Sequence, residues 1–212
     1  MAIKLLFDLD GTISDPLEGI ANSINYALEA FGYSQSSQIE LANYIGPPLD
    51  KTFSDITQTD DKAHILALVT KYRERFAVLG YKENQLYDGV KSILLELKKR
   101  NISVAVCTSK PERFAVKILE HFDLLDCFEF VSGGEVGVEK WQQIVDLKHQ
   151  GLVDEDTIMI GDRAVDITAA KHSGLKTSGV LWGYGSIQEI ESEQPDYIFE
   201  YAGELMSLIQ PA

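Results

Sequence analysis

The sequence predicts an α/β fold, a parallel sheet with helices on both faces, interrupted after its first strand by a helical insertion. Three observations predict it. Short, nearly continuous apolar runs of strand length recur along the chain, as expected of strands buried on both faces. Between them lie segments whose apolar residues repeat at helical spacing, and such alternation builds a parallel sheet. One stretch, from about Asp15 to Gln85, replaces the alternation with helical periodicity alone.

The apolar runs are Ile3 to Leu9, Ile102 to Cys107, Phe128 to Val131, Thr157 to Ile160, Thr177 to Leu181 and a weaker Tyr197 to Phe199. Val90, Ile93, Leu94 and Leu97 repeat at i, i+3, i+4, i+7, and Ala115, Ile118, Leu119 and Phe122 do the same, with Pro111 placed in the first turn of their helix. Trp141, Ile144 and Val145 open another helix that ends near Gly151. A further one runs from Asp166 to His172 and is stopped by Gly174. Within the insertion, Ile20, Ile24, Ala27, Leu28 and Phe31 form one helical face, and Ile65, Val69, Tyr72 and Phe76 form a second. The expected domains are therefore a core of residues 1–14 and 86–212 and a helical domain of residues 15–85.

Composition bounds the function. At 45% hydrophobic and 25% charged residues the chain has the balance of a globular protein rather than a disordered one. The net charge of −14, with no basic run of five residues, argues against nucleic acid and anionic membranes as partners. The first apolar stretch is cut by Lys4 and ends in acids, so it does not read as a signal peptide, and no apolar run reaches the length of a membrane span. Two cysteines, Cys107 and Cys127, lack a CxxC partner; a disulfide framework or zinc site is not expected, and a reducing cytoplasm fits. A monomer or small homo-oligomer is compatible with this charge.

The chemistry concentrates at strand ends. The first strand runs into Phe7-Asp8-Leu9-Asp10-Gly11-Thr12, and the carboxyl ends of strands are where ligands bind in open α/β sheets. A carboxylate there can attack phosphorus and form an aspartyl phosphate, a second acid can protonate the leaving oxygen, and both suit a hard cation such as Mg2+. A bare Asp-x-Asp is more often a solvated acidic turn; its position after a buried strand makes it specific. The later run Ile158-Met159-Ile160-Gly161-Asp162-Arg163-Ala164-Val165-Asp166 is a strand, a Gly and two acids four residues apart. Asp162 alone could be a helix cap. Together the acids would repel one another strongly without a cation between them.

The string from Phe7 to Thr12 resembles the first motif of the haloacid dehalogenase superfamily of phosphohydrolases. The resemblance covers nearly the whole chain, with four motifs in order. It implies a Rossmann-like core with an inserted helical (C1-type) cap, Asp8 as nucleophile and Mg2+ ligand, and Asp10 as general acid/base whose backbone carbonyl reaches the metal. Thr108, ending Val104-Ala105-Val106-Cys107, is the second motif's hydroxyl. Lys140 is the third motif's cation, with Lys148 a poor rival well inside the helix, and the stretch Gly133 to Glu139 before it is shorter and more acidic than in close relatives. Asp162 and Asp166 complete the fourth motif, Asp162 on Mg2+ and Asp166 supporting the metal and the Lys. Ser109-Lys110-Pro111 resembles the phosphoglycolate phosphatase-like branch. Gly11, Thr12, Ser109 and Lys110 are then substrate-side candidates, as are Gly46, Pro47 and Pro48 in a cap loop that reaches over the site in such relatives.

The implied activity is Mg2+-dependent hydrolysis of a small phosphorylated metabolite. A phosphomutase, a pyrophosphatase or a nucleotidase on the same scaffold stays open. A dehalogenase fits less well because of the acid at Asp10. A receiver-like signalling domain that stores the phosphoryl group is disfavoured by the insertion after the first strand. Gly183-Tyr184-Gly185 is expected to be architecture rather than a phosphate cradle, and no catalytic role is expected of His64, His121, His149 and His172, which show no ligand spacing.

Overall fold

The computed structural model describes residues 3–135 and 137–209. Met1 and Ala2, where the N-terminal leader reading begins, and Val136, inside the Gly133–Glu139 stretch, lie outside the described residues. In chain order the elements are β1 (Lys4–Phe7), β2 (Ser14–Asp15), α1 (Leu17–Ala30), α2 (Gln38–Ala42), α3 (Leu49–Thr57), α4 (Lys62–Phe76), β3 (Gln85–Leu86), α5 (Val90–Lys99), β4 (Ser103–Cys107), α6 (Glu112–His121), β5 (Val131–Ser132), α7 (Lys140–His149), β6 (Thr157–Gly161), α8 (Ala164–His172), β7 (Lys176–Val180), α9 (Ile187–Ser192) and β8 (Tyr197–Phe199), with short 3-10 turns between some of them. They form two compact units, one from Met1–Asp15 and Leu86–Ala212, the other from Pro16–Gln85. Among the described residues no helix is long and apolar enough to cross a membrane.

The first unit holds a six-stranded sheet in the order β5-β4-β1-β6-β7-β8, parallel throughout. The chain moves outward from β1 through β4 to β5, then returns to the other side of β1 at β6 and moves outward again. The reversal falls beside β1, and ligands bind at such a switch point, beyond the strands' carboxyl ends. Successive strand residues face opposite sides. On one side Leu6, Ala105, Cys107 and Met159 pack with Ile144 and Leu147 of α7 and Ala169 and Ala170 of α8. The alternate residues Leu5, Phe7, Val104, Val106, Ile158 and Ile160 are buried as well, so both faces are covered. Each such aliphatic side chain contributes about 1.5–3 kcal/mol by leaving water.

The outer strands depart from the sequence reading. The run Phe128 to Val131 gives a regular strand only at Val131–Ser132, although Glu129 N–H still donates to Val104 O at 2.8 Å and Val106 N–H to Phe130 O at 3.1 Å. It is an edge strand, half-buried, and its run is not sandwiched between two layers. The opposite edge, β8, leaves Tyr197 and Ile198 exposed for the same reason. Pro111 sits at the N-cap of α6, before the first turn rather than in it, with φ −53° and ψ 132°.

The second unit is helical. The two predicted faces belong to α1 and α4, which pack together. Two shorter helices, α2 and α3, lie between them in sequence. Phe53 of α3 meets Tyr72 of α4 edge-on with centroids 6.4 Å apart, and Tyr72 stacks on Phe76 at 5.4 Å. Phe31 ends outside α1 and is exposed. Gly46 (φ 103°) turns the chain between α2 and α3, and Pro48 is the N-cap residue of α3.

Candidate active site

The first loop is fixed by its apolar residues. Leu9 and Ile13 are fully buried. The Leu9 carbonyl accepts from the N–H groups of Thr12, Ile13 and Ser14 at 3.3, 2.9 and 3.0 Å, which folds the chain into a tight turn at the end of β1. Asp8 is held by its own N–H, which donates to Ile160 O at 2.9 Å and so prolongs the β1–β6 ladder. With Leu9 pinned inward, the acids on either side of it are set at the strand's carboxyl end.

From β6 the chain passes through Gly161 to Asp162, fully buried, and into α8. Asp162 Oδ2 accepts from Tyr184 N–H at 2.8 Å, and its Oδ1 from the Thr12 hydroxyl at 3.3 Å. The backbone is packed tightly around it. A Cβ on Gly11 (φ +87°) would lie 2.2 Å from Asp162 Oδ2, and one on Gly183 would lie 2.2 Å from Gly11 O. Asp166, in the first turn of α8, accepts from Arg163 N–H at 3.1 Å and so caps its own helix. Glu189 steadies the same turn, accepting from Arg163 Nε at 2.8 Å and Ala164 N–H at 2.9 Å.

Lys140, the first residue of α7, is buried between two of these acids. Its Nζ lies 2.9 Å from Asp8 Oδ1 and donates to Asp166 Oδ1. Burial works against its charge, but Asp166 and Asp8 outweigh that, and the ammonium is held above its ordinary range. Lys148 is elsewhere, donating to Ser173 O at 3.0 Å. Thr108 ends β4, buried, with its hydroxyl accepting from Lys110 N–H at 3.3 Å. Ser109 is exposed. Lys110 Nζ lies 2.7 Å from Asp10 Oδ2.

One carboxylate oxygen from each of Asp8, Asp162 and Asp166 lies within 4.8 Å of the others. Burial, then the charges of Asp166 and Asp8, push Asp162 up to about 7. Burial likewise raises Asp166 to about 6, against the pull of Lys140. Among the described residues Asp8 Oδ1 has the Lys140 ammonium as its ion-pair partner and no further hydrogen bond, and Asp10 Oδ1 has no hydrogen-bond partner. Three carboxylates gathered this closely, with little but one ammonium to balance them, fit a hard divalent cation. Asp10 stands apart from this trio, its carboxyl turned to Lys110; burial raises it above its ordinary value, Lys110 opposing. Cys107, beneath the site, is pushed up to about 12 by burial and stays a thiol.

Asp8, Asp10, Gly11, Thr12, Thr108, Lys110, Lys140, Asp162 and Asp166 thus meet at one end of the sheet. Gly46, Pro47 and Pro48 belong to the helical unit. Sequence reasoning missed Gln143, whose Nε2 ties Ser132 Oγ (2.8 Å) to Thr108 O (3.4 Å). It also passed over Trp182 and Tyr184. Trp182 Nε1 donates to Thr12 O at 3.0 Å, and the Tyr184 hydroxyl donates to Asp15. The signal that could have found them is the Gly183-Tyr184-Gly185 segment, whose glycines admit Asp162.

Residues 5–180 match the family model described as haloacid dehalogenase-like hydrolase. The chain is 37% identical over 98% of its length to a 5'-nucleotidase of Pseudomonas aeruginosa, covering 94% of that protein. It is 32% identical over 98% of its length to a phosphoglycolate phosphatase of Vibrio parahaemolyticus, covering 96% of that one. Among solved structures, a candidate phosphatase of Clostridium difficile superposes with a TM-score of 0.90 at 39% identity, over 99% of both chains.

Proposed function

Because the chain belongs to the haloacid dehalogenase-like hydrolases and is a phosphatase, we propose that it hydrolyses a small phosphate monoester with Asp8 as covalent nucleophile. The observation that supports this most is Asp8 itself: a buried carboxylate at the switch point of the sheet, with a buried ammonium 2.9 Å from one of its oxygens.

A carboxylate oxygen of Asp8 attacks phosphorus as the bond to the leaving oxygen breaks, and that oxygen takes a proton from Asp10. Asp10, now a carboxylate, removes a proton from water, which attacks the acyl phosphate and frees phosphate and Asp8. Lys140 and the Thr108 hydroxyl hold the equatorial oxygens. Mg2+, held by Asp8, Asp162 and the Asp10 carbonyl with Asp166 in support, would shield the incoming phosphate from the acids and polarise the phosphoryl group. The helical unit is the cap, with Gly46, Pro47 and Pro48 on the substrate side, and its closure would exclude bulk water.

Two substrates lead. The phosphoglycolate phosphatase relative favours 2-phosphoglycolate, and the 5'-nucleotidase relative favours a nucleoside 5'-monophosphate. The test is phosphate release from both, from pyrophosphate and from p-nitrophenyl phosphate, each with Mg2+ or EDTA. Mg2+-dependent release from the monoesters is expected, and their ranking names the substrate class. Release from pyrophosphate alone, or isomerisation of a sugar phosphate without release, would overturn the proposal.

A further inference from the structure

One short segment, Trp182 to Gly185, packs against Asp162. Tyr184 N–H donates to Asp162 Oδ2 at 2.8 Å. The glycines on either side of Tyr184 lie against the same residue: a Cβ on Gly183 would be 2.4 Å from Asp162 Cβ, and one on Gly185 would be 1.9 Å from Asp162 O. Glycines permit that approach, but they bring no side chain and leave the backbone loose. Holding the Tyr184 N–H on Asp162 then falls to the two side chains of the segment, those of Trp182 and Tyr184.

Both reach the loop after β1. Trp182 Nε1 donates to Thr12 O at 3.0 Å, and the Tyr184 hydroxyl donates to Asp15 Oδ1. That loop is itself fixed by the three N–H groups gathered on the Leu9 carbonyl. Thr12 closes the arrangement, its hydroxyl donating to Asp162 Oδ1 at 3.3 Å. Tyr184 is half-buried, and its phenol is also hydrogen-bonded to that of Tyr87. Tyr184 thus carries a donor at each end, the amide on Asp162 and the hydroxyl on Asp15, with a rigid ring between them.

We infer that Tyr184 is a positioning residue for the cation site: its bond to Asp15 anchors the segment, and the anchored N–H holds the Asp162 carboxylate in the orientation that gathers it with Asp8 and Asp166. Groups that orient a metal's ligands set its affinity without touching it. The inference rests on Asp162 being a Mg2+ ligand. It gives the Gly183-Tyr184-Gly185 segment a task that a merely close-packed loop would not have.

The test is the Kd for Mg2+, read from the rise of Tm with Mg2+ concentration. Each variant is measured against its own Tm in EDTA, so that a loss of stability alone does not enter. Tyr184→Phe, which keeps the ring and the N–H, is expected to raise the Kd about tenfold. Asp15→Ala is expected to raise it to a similar extent, and the double variant no further than either alone. Asp15→Asn, whose carbonyl oxygen still accepts, is expected to keep the Kd near that of wild type. A wild-type Kd in Tyr184→Phe, with only the Tm in EDTA lowered, would make the hydroxyl a structural tether and overturn the inference while Asp162→Asn still loses its Mg2+ response. Losses that multiply in the double variant would also overturn it, since the hydroxyl would not then act through Asp15. An Asp162→Asn protein that responds to Mg2+ as wild type does would remove the cation reading itself, and the inference would fall with it.

Discussion

Lys140 Nζ lies 2.9 Å from Asp8 Oδ1, with both side chains buried at the end of β1. The same ammonium donates to Asp166. Removing it leaves two buried carboxylates without their counter-charge, which costs several kcal/mol. Lys140→Met is expected to lose about 3 kcal/mol of stability in urea unfolding without added metal, and excess Mg2+ is expected to restore part of it. A variant as stable as wild type in EDTA would show that the acids do not depend on this lysine.

Gly11 has no room for a side chain. Its φ of +87° is unfavourable for other residues, and a Cβ would lie 2.2 Å from Asp162 Oδ2. Gly11→Ala is expected to cost roughly 1–3 kcal/mol in thermal or urea unfolding and to weaken Mg2+ binding because Asp162 must move. Ala at Gly32, which also has a positive φ but nothing within 4 Å of an added Cβ, should cost less and leave Mg2+ binding unchanged. Equal effects at both positions would assign the loss to the backbone angle alone.

Metal binding should appear as stability. A ligand of the folded state at a hundred times its Kd adds about 2.7 kcal/mol. Mg2+ is expected to raise the Tm of wild type, and EDTA to reverse the rise. Asp162→Asn, which removes a charge from the three-acid group, should largely abolish the shift. A Tm indifferent to Mg2+ in both proteins would contradict the cation site.

The helical unit carries its own pH dependence. Arg75 Nη1 and Nη2 each lie 2.7 Å from a Glu83 oxygen, and Asn22 Nδ2 donates to Glu83 Oε1 at 3.3 Å. The hydrogen bonds from Arg75 hold the Glu83 carboxyl below its ordinary value, against its partial burial. A lowered carboxyl binds its proton less readily when folded. Its contribution is therefore full above the unfolded value of about 4.3 and is lost as pH falls through the lower folded value. Glu83→Gln is expected to cost about 1–2 kcal/mol at pH 7, the difference from wild type closing below about pH 4. A difference that stayed constant with pH would assign the loss to packing.

What the sequence made legible follows from burial. β1, β4, β6 and β7 lie inside the sheet and leave continuous apolar runs, whereas β5 and β8 are edges and their runs are short or displaced. Helices α2 and α3 were invisible because each turns little inward: Leu41 is the buried residue of α2, and Thr52 and Phe53 are those of α3. At the site, Asp8, Asp10, Asp162 and Asp166 stand next to strands and could be read from their neighbours. Gln143 could not, since it links two strand ends through its amide, and Tyr184, which acts on Asp162 through its backbone N–H, was marked only by its flanking glycines. The partner of Lys110 lies a hundred residues away, and only the register of β1 on β4 brings the two together.

The central claim is that Asp8 is the nucleophile, and Asp8→Asn tests it most directly, since the amide keeps the shape and removes the attacking oxyanion. With Mg2+ and the best monoester of the panel, kcat is expected to fall by at least about a thousandfold while circular dichroism shows a folded protein. A folded Asp8→Asn that releases phosphate at the wild-type rate would contradict the account.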